Sequence, residues 1–237
     1  MSTLCAQVVD EVRVVIEAEL RRLARRGLAA KRLLDVGCWD GAMTERYARV
    51  FGCAALGIEV FDEVAARARA RGIEVAKLDL EREPFPWPDG SLDVVVINQV
   101  LEHLKDVWRP VSEIHRVLAV GGAALLSVPN LGSLHNRVLL ALGRQPTSIR
   151  TFGPHVRGFT FGEFRRFVAH GGAFEVERAL GVGFYPLPAR LAGLPARAWR
   201  GAAHTTLVVA RKRAAGPSPW LEFLRREQEL GLQTHFG

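Results

Sequence analysis

Leu33-Leu34-Asp35-Val36-Gly37-Cys38-Trp39-Asp40-Gly41 decides the reading of this chain. Arg32 to Val36 is a short apolar run that ends in glycine, and from Ala42 to Phe51 the apolar residues return at helical spacing. A strand, a glycine-rich turn and a helix in that order put the turn at the carboxyl end of a strand. Glycine there lets the backbone bend sharply and approach a ligand at the neck of an open sheet.

Outward from this unit the rhythm repeats. On the amino-terminal side, Leu4 to Leu28 reads as an amphipathic helix carrying Val8, Val12, Val15, Ile16, Leu20 and Leu23, with Gly27 as its stop. On the other side come a strand at 54–60, a helix at 62–71, a strand at 74–78 and an apolar strand at 92–97. A helix at 107–118 is then broken by Gly121-Gly122 before a strand at 123–128. Continuous apolar strands alternating with helices predict an α/β, doubly wound domain with helices on both faces of a mostly parallel sheet. Past Pro129-Asn130 the pattern loosens. It resumes with a helix at 160–170, strands at 174–179 and 205–210, a loop with a short helix between them, and a charged helix at 220–230.

Acids recur at the strand ends. Glu59 lies 22 residues after Gly37, near the ~20-residue offset at which a carboxylate reaches ribose hydroxyls. Asp79 follows 20 residues later, at the end of the third strand as read from the sequence. The ligand these acids imply carries an adenosine-like group.

Composition narrows the classes. The chain has 237 residues, 49% of them apolar, which suffices for a core without disulfide or metal staples. Three cysteines, Cys5, Cys38 and Cys53, give an odd count and no C-x-x-C pair, which fits a reducing cytoplasm and excludes a zinc-finger spacing. No apolar run reaches a membrane-spanning length, and the acidic first 20 residues do not read as a signal or transit peptide. The net charge is +7, from 32 basic and 25 acidic residues, yet it is spread along the chain rather than gathered into a basic stripe. Nucleic acid is therefore a disfavoured partner.

The segment 33–41, Glu59, Asp79-Leu80, Phe85-Pro86-Trp87-Pro88-Asp89-Gly90-Ser91-Leu92-Asp93-Val94-Val95 and Val100-Leu101-Glu102-His103-Leu104 together resemble class I S-adenosylmethionine-dependent methyltransferases of the methyltransferase-11, ubiquinone-biosynthesis type. The resemblance covers about residues 31–130. It implies a Rossmann-like, seven-stranded, mostly parallel sheet whose last strand is antiparallel. Further on, Leu134-His135-Asn136-Arg137, Leu142-Gly143-Arg144 and 155–160 resemble, more loosely, relatives of the methionine-biosynthesis protein W and of glycan-cluster methyltransferases.

Position by position, the resemblance implies that Asp35, Gly37, Cys38, Trp39 and Gly41 shape the pocket for the methionine moiety of S-adenosyl-L-methionine. It puts Glu59 on the ribose, Asp79 and Leu80 on the adenine, and Asn98 and Gln99 beside the sulfonium. The released product is S-adenosyl-L-homocysteine. Trp39 stands where the family often has glycine, so either the turn tolerates a side chain or the indole covers the cofactor.

Methyl transfer from a sulfonium needs alignment and exclusion of water, and calls for no metal. A base is required where the acceptor keeps its proton, and His103 and His155 are the candidate catalytic residues, with His135 a further candidate. His115 and His170 read as structural. Arg137, Arg144, Arg150 and Arg157 make the segment after 130 basic, which suits a carboxylate or phosphate on the acceptor or else forms a solvated face.

The expected organisation is one methyltransferase domain over 1–213, made of an N-terminal helix (1–30), a cofactor-binding core (31–130) and a substrate cover with the late strands (131–203). A linker and helix follow at 214–237, packed on this domain or on a partner. The expected function is methyl transfer to an oxygen or nitrogen of a small metabolite or sugar acceptor, in the cytoplasm, with no integral membrane segment and at most peripheral membrane contact by 184–199. The rivals are an RNA methyltransferase and a non-catalytic S-adenosylmethionine-binding regulatory protein. The oligomeric state is left open.

Overall fold

A computed structural model describes residues 3–229. Its centre is a seven-stranded sheet in the order β3-β2-β1-β4-β5-β7-β6. The strands are β1 (Arg32–Val36), β2 (Ala54–Ile58), β3 (Glu74–Ala76), β4 (Leu92–Asn98), β5 (Leu118–Pro129), β6 (Phe174–Val182) and β7 (Thr205–Lys212). The first five pair in parallel, and β7 inserts antiparallel to both β5 and β6. This is the expected Rossmann-like α/β sheet, with its antiparallel strand where the resemblance implied it.

Adjacent residues of each buried strand serve opposite faces. Leu34, Val95 and Ile97 pack in one core cluster, and Leu33, Val94 and Val96 in the other. The second face is covered by α1 (Thr3–Arg25) and α2 (Ala42–Phe51), through Val12, Ile16, Leu20, Leu23 and Tyr47. The first is covered by α4 (Trp108–Val117) and α6 (Phe161–Val168), while α3 (Asp62–Ala70) seats Ala68 against Ile73 and Cys38. In α4, Val111, Ile114 and Val117 are fully buried at offsets of three, the stripe a sheet-facing helix needs.

β2 ends at Ile58 rather than at 60, so Glu59 lies just past it, and β6 and β7 run on to Val182 and Lys212; two further departures have a clear physical reason. β3 stops at Ala76 rather than at 78, because only β2 pairs with it and that ladder ends there. β5 begins at Leu118: Gly121 and Gly122 do not precede the strand but lie inside it, where the register to β4 shifts between Leu92 and Val94. His170 opens a 3-10 turn after α6 instead of lying inside it.

Between β5 and β6 the chain forms α5 (Leu134–Ala141) and a 3-10 turn at Thr147–Ile149, and between β6 and β7 it forms α7 (Ala189–Ala198). The last helix, α8 (Pro219–Glu229), packs on its own domain. Trp220 is fully buried, and its indole Nε1 donates to the Phe167 carbonyl at 2.9 Å. Leu230, which the sequence reading places in this helix, lies outside the described residues. Among those residues no helix is long and apolar enough to cross a membrane.

Candidate active site

β1 and β4 are neighbours, so the strand order reverses between them, and this is where an open sheet leaves a crevice at its carboxyl edge. The glycine turn stands there. The N–H groups of Gly37 and Cys38 both donate to the Ile58 carbonyl, at 2.9 and 3.1 Å, tying the turn to the end of β2. Gly37 and Gly41 have φ of 79° and 77°. A Cβ on Gly41 would stand 2.3 Å from Ile73 Cδ1, and one on Gly37 2.6 Å from Val100 Cγ2, so neither position accepts a side chain. Trp39 also lies in the left-handed region, at φ 51°. Its indole is 53% exposed and meets Phe61 edge-on at 6.2 Å.

Glu59 is buried beside this turn. Its Oε2 accepts from the Trp39 N–H and its Oε1 from the Phe61 N–H, each at 3.0 Å. Asp35 is buried beneath, with the Thr44 hydroxyl donating to it at 2.6 Å. Burial, with the Glu59 charge adding, raises the Asp35 carboxyl to about 7. The Cys38 thiol is pushed up to about 12 by burial, so it is no nucleophile at neutral pH.

Asp79 departs from its sequence placement. It lies three residues past β3 in a turn, exposed, with Oδ1 accepting from the Glu81 N–H at 2.9 Å, while Leu80 packs partly against the core. Asn98 closes β4, its Oδ1 accepting from the Ser127 hydroxyl at 2.5 Å. Gln99 follows at φ 57°, anchored through its N–H to the Ser127 carbonyl at 3.1 Å.

Gln99 also lines a cavity of about 1010 Å³, roofed by the segment after β5. Glu102, His103 and His155 line it too. The imidazoles of His103 and His155 meet edge-on at 4.7 Å. His103 Nδ1 donates to the Pro154 carbonyl at 3.2 Å and His155 Nδ1 to the Ser148 carbonyl at 2.8 Å. A carbonyl only accepts, so both Nδ1 atoms carry hydrogen, and each Nε2 of a neutral ring keeps its lone pair. Burial, then the neighbouring His155, holds His103 below its ordinary value.

Glu102 is only 1% exposed and its Oε2 has no partner. Burial lifts this carboxyl to about 8, so at neutral pH it is a neutral acid. Its donor atom lies within 4.8 Å of those of His103 and His155, a donor set with the residue types a divalent cation takes. Sequence reasoning quoted Glu102 within the stretch 100–104 but gave a role only to the histidines. The signal available was an acid next to Leu101 and separated from Leu104 by one residue.

The structure sorts the four arginines. Arg137 is committed to the fold: it donates to the Gly132 and Gly201 carbonyls at 2.7 and 3.2 Å and lies over the Trp199 ring. Arg157 donates to the Lys105 carbonyl and stacks on Trp108. Arg144 and Arg150 line the cavity instead. Sequence reasoning put Tyr185 in the substrate cover without a role of its own and missed His204; both line the cavity, and His135 packs against Tyr185 at 4.3 Å. Burial and the nearby His135 lower His204 to about 4.

Residues 34–126 match the family model described as a methyltransferase domain. A probable S-adenosylmethionine-dependent methyltransferase of Mycolicibacterium smegmatis is 36% identical over 210 residues, 88% of this chain and 74% of that protein. The ubiquinone biosynthesis O-methyltransferase of Methylococcus capsulatus is 29% identical over 175 residues, 69% of this chain and 71% of that one. The chain spans about half, 53%, of two Mycobacterium tuberculosis relatives. Among solved structures, an S-adenosylmethionine-dependent methyltransferase from Thermotoga maritima shares the fold, with TM-score 0.60 at 20% identity over 83% of this chain and 89% of that one.

Proposed function

The chain belongs to the S-adenosylmethionine-dependent methyltransferases, and from that premise we propose that it methylates an oxygen or nitrogen of a small metabolite or glycan precursor bound in the cavity beside Gln99. The observation that carries this reading is the junction of two features. The glycine turn that the family uses for its cofactor presses on Val100, and the next residue back, Gln99, lines the cavity.

The residues fit the cofactor. Gly37 and Gly41 present bare backbone. Glu59 offers a carboxylate whose oxygens each accept one N–H and retain a free lone pair for a ribose hydroxyl. Asp35 stands near Glu59 as a second acid, Asp79 with Leu80 is assigned to the adenine side, and Asn98 and Gln99 to the sulfonium side. When bound, S-adenosylmethionine supplies an electrophilic methyl group on a charged sulfur.

The protein's own work is then alignment, shielding and proton removal. His103 or His155 takes the acceptor proton at Nε2, since Nδ1 of each ring is held by a carbonyl. Glu102 keeps an unpartnered Oε2 beside them, a hydrogen-bonding group available to the acceptor. A cavity of about 1010 Å³ suits a small molecule. The O-methyltransferase named among the relatives supports oxygen as the acceptor atom. Residues 1–213 form the methyltransferase domain in this reading, and the site of action is the cytoplasm.

The test is calorimetric titration with S-adenosylmethionine and S-adenosylhomocysteine. Micromolar binding of both is expected, lost in Glu59→Ala. Equal affinity in the variant would remove Glu59 from the site, and no binding by the folded wild type would favour a chain that has kept the fold without the transfer.

A further inference from the structure

We infer that the acceptor carries an oxyanion, a carboxylate or a phosphate, which is held between Arg144 and Arg150 at the mouth of the cavity. This deepens the proposed function and rests on its reading of the cavity as the acceptor pocket.

The division of labour among the arginines carries the inference. Arg137 and Arg157 spend their guanidinium groups on backbone carbonyls and aromatic rings. Arg144 and Arg150 line the cavity, and among the described residues neither has a carboxylate within ion-pair distance. Among the described residues the only acidic one in the lining is Glu102. It is 1% exposed, its Oε2 has no partner, and it pairs with neither guanidinium, so two forks face the cavity without a carboxylate on either.

The segment bearing these arginines is pinned. Asn136, 2% exposed, donates through Nδ2 to the Ser148 hydroxyl at 3.0 Å and to the Asn130 carbonyl at 3.2 Å. Its Oδ1 accepts from the Thr147 N–H at 3.0 Å and the Thr147 hydroxyl at 3.1 Å. Farther along, the Gln145 amide donates to the Ile149 carbonyl at 2.7 Å. A buried amide satisfied on both sides thus fixes the backbone between the arginines, and their guanidinium forks match a planar or tetrahedral oxyanion. Phe152 and Leu139 line the same space, which leaves room for an apolar or ring-shaped body beside the charged group.

The experiment uses the full chain saturated with S-adenosylhomocysteine. Ligand-observed NMR compares two matched pairs of probes, glucose 6-phosphate against glucose and 4-hydroxybenzoate against 4-hydroxybenzyl alcohol, up to about 10 mM. The charged member of at least one pair is expected to bind about tenfold or more tightly. That preference should vanish in an Arg144→Gln/Arg150→Gln variant with unchanged melting temperature and unchanged S-adenosylhomocysteine affinity, and persist in Arg137→Gln. Equal binding within both pairs, no binding of either anion, or a preference that survives the double variant would overturn the oxyanion while leaving the donor site standing. Failure of the wild type to bind S-adenosylhomocysteine would overturn the acceptor reading and this inference with it.

Discussion

The N–H of Trp39 donates to Glu59 Oε2 at 3.0 Å, across 20 residues of chain, and makes the turn and the acid one unit. The Phe61 N–H takes the other oxygen, so the two aromatic residues that flank Glu59 are also the ones that orient it. Of the two readings the sequence left open for Trp39, the turn does tolerate a side chain: the residue adopts φ 51° and sends its indole outward against Phe61. A left-handed tryptophan costs about 1–2 kcal/mol in backbone energy, and the edge contact with Phe61 returns about 0.5–1.5 kcal/mol.

Trp39→Gly should therefore fold with stability within about 1 kcal/mol of the wild type, since the lost ring contact and the relieved strain offset each other. If the exposed indole beside Glu59 also covers the nucleoside, S-adenosylhomocysteine affinity should fall about fivefold or more. Thermal denaturation and calorimetry read the two effects separately. An unchanged dissociation constant would make the indole a bystander.

Glu102 predicts a pH dependence. Its carboxyl sits at about 8 in the folded chain against an ordinary 4.5, and Asp35 at about 7 against 3.8. In between, the folded state holds protons that the unfolded state has released, so stability present at low pH is lost as pH rises, by up to about 1.4 kcal/mol per pH unit for each group. The lowered histidines His103, His115, His135 and His204 act in the opposite sense, and only below their ordinary 6.5. From pH 7 to 8 the lowered histidines are silent, and Glu102 titrates together with the upper half of the Asp35 transition. Urea midpoints should decline across this window more steeply in the wild type than in Glu102→Gln, which keeps only the Asp35 contribution; parallel slopes would show that Glu102 is ionised at pH 7.

The part of the fold legible in the sequence was the part fixed by local pattern. Leu33 to Gly41 could only be strand and turn, and the acid at Glu59 follows from strand length alone. Asp79 was misplaced because Lys77 and Leu78 continue the strand pattern, while what ends an edge strand is the loss of its single partner. Gly121 and Gly122 read as a break because a bulge and a turn look alike until the neighbouring strand's register is known. The acceptor side was less legible for a related reason. Four arginines in one basic segment are equivalent in sequence, and only the carbonyls and rings around Arg137 and Arg157 distinguish them from Arg144 and Arg150. Burial of Glu102 depends on the segment at 154–157, some fifty residues along the chain, which no spacing encodes.

The packing of α8 makes a stability prediction. Trp220 is fully enclosed, with ring centroids 5.6 Å from Phe174 and 6.0 Å from His115, and its N–H is satisfied by Phe167. Trp220→Ala should cost about 3–5 kcal/mol in chemical denaturation, the range for emptying an aromatic site in a core. A loss under about 1 kcal/mol would mean that α8 is not docked on the domain in solution.

The two histidines predict a kinetic signature once an acceptor is turned over. If one Nε2 removes the acceptor proton, replacing that histidine by alanine should lower the single-turnover rate by about 10²–10⁴-fold while S-adenosylhomocysteine affinity stays constant. The other histidine, 4.7 Å away, should cost less, through the lost contact that orients the first. Because burial holds His103 below its ordinary value, its ring stays neutral through neutral pH. Where His103 is the base, the rate should be flat above about pH 6.5 and fall only below it. Proton removal by a side chain also leaves the rate unchanged in EDTA. A rate abolished by EDTA and restored by a divalent cation would reassign Glu102, His103 and His155 from proton transfer to metal ligation. Rates within threefold of wild type in both alanine variants would show that the acceptor arrives already deprotonated.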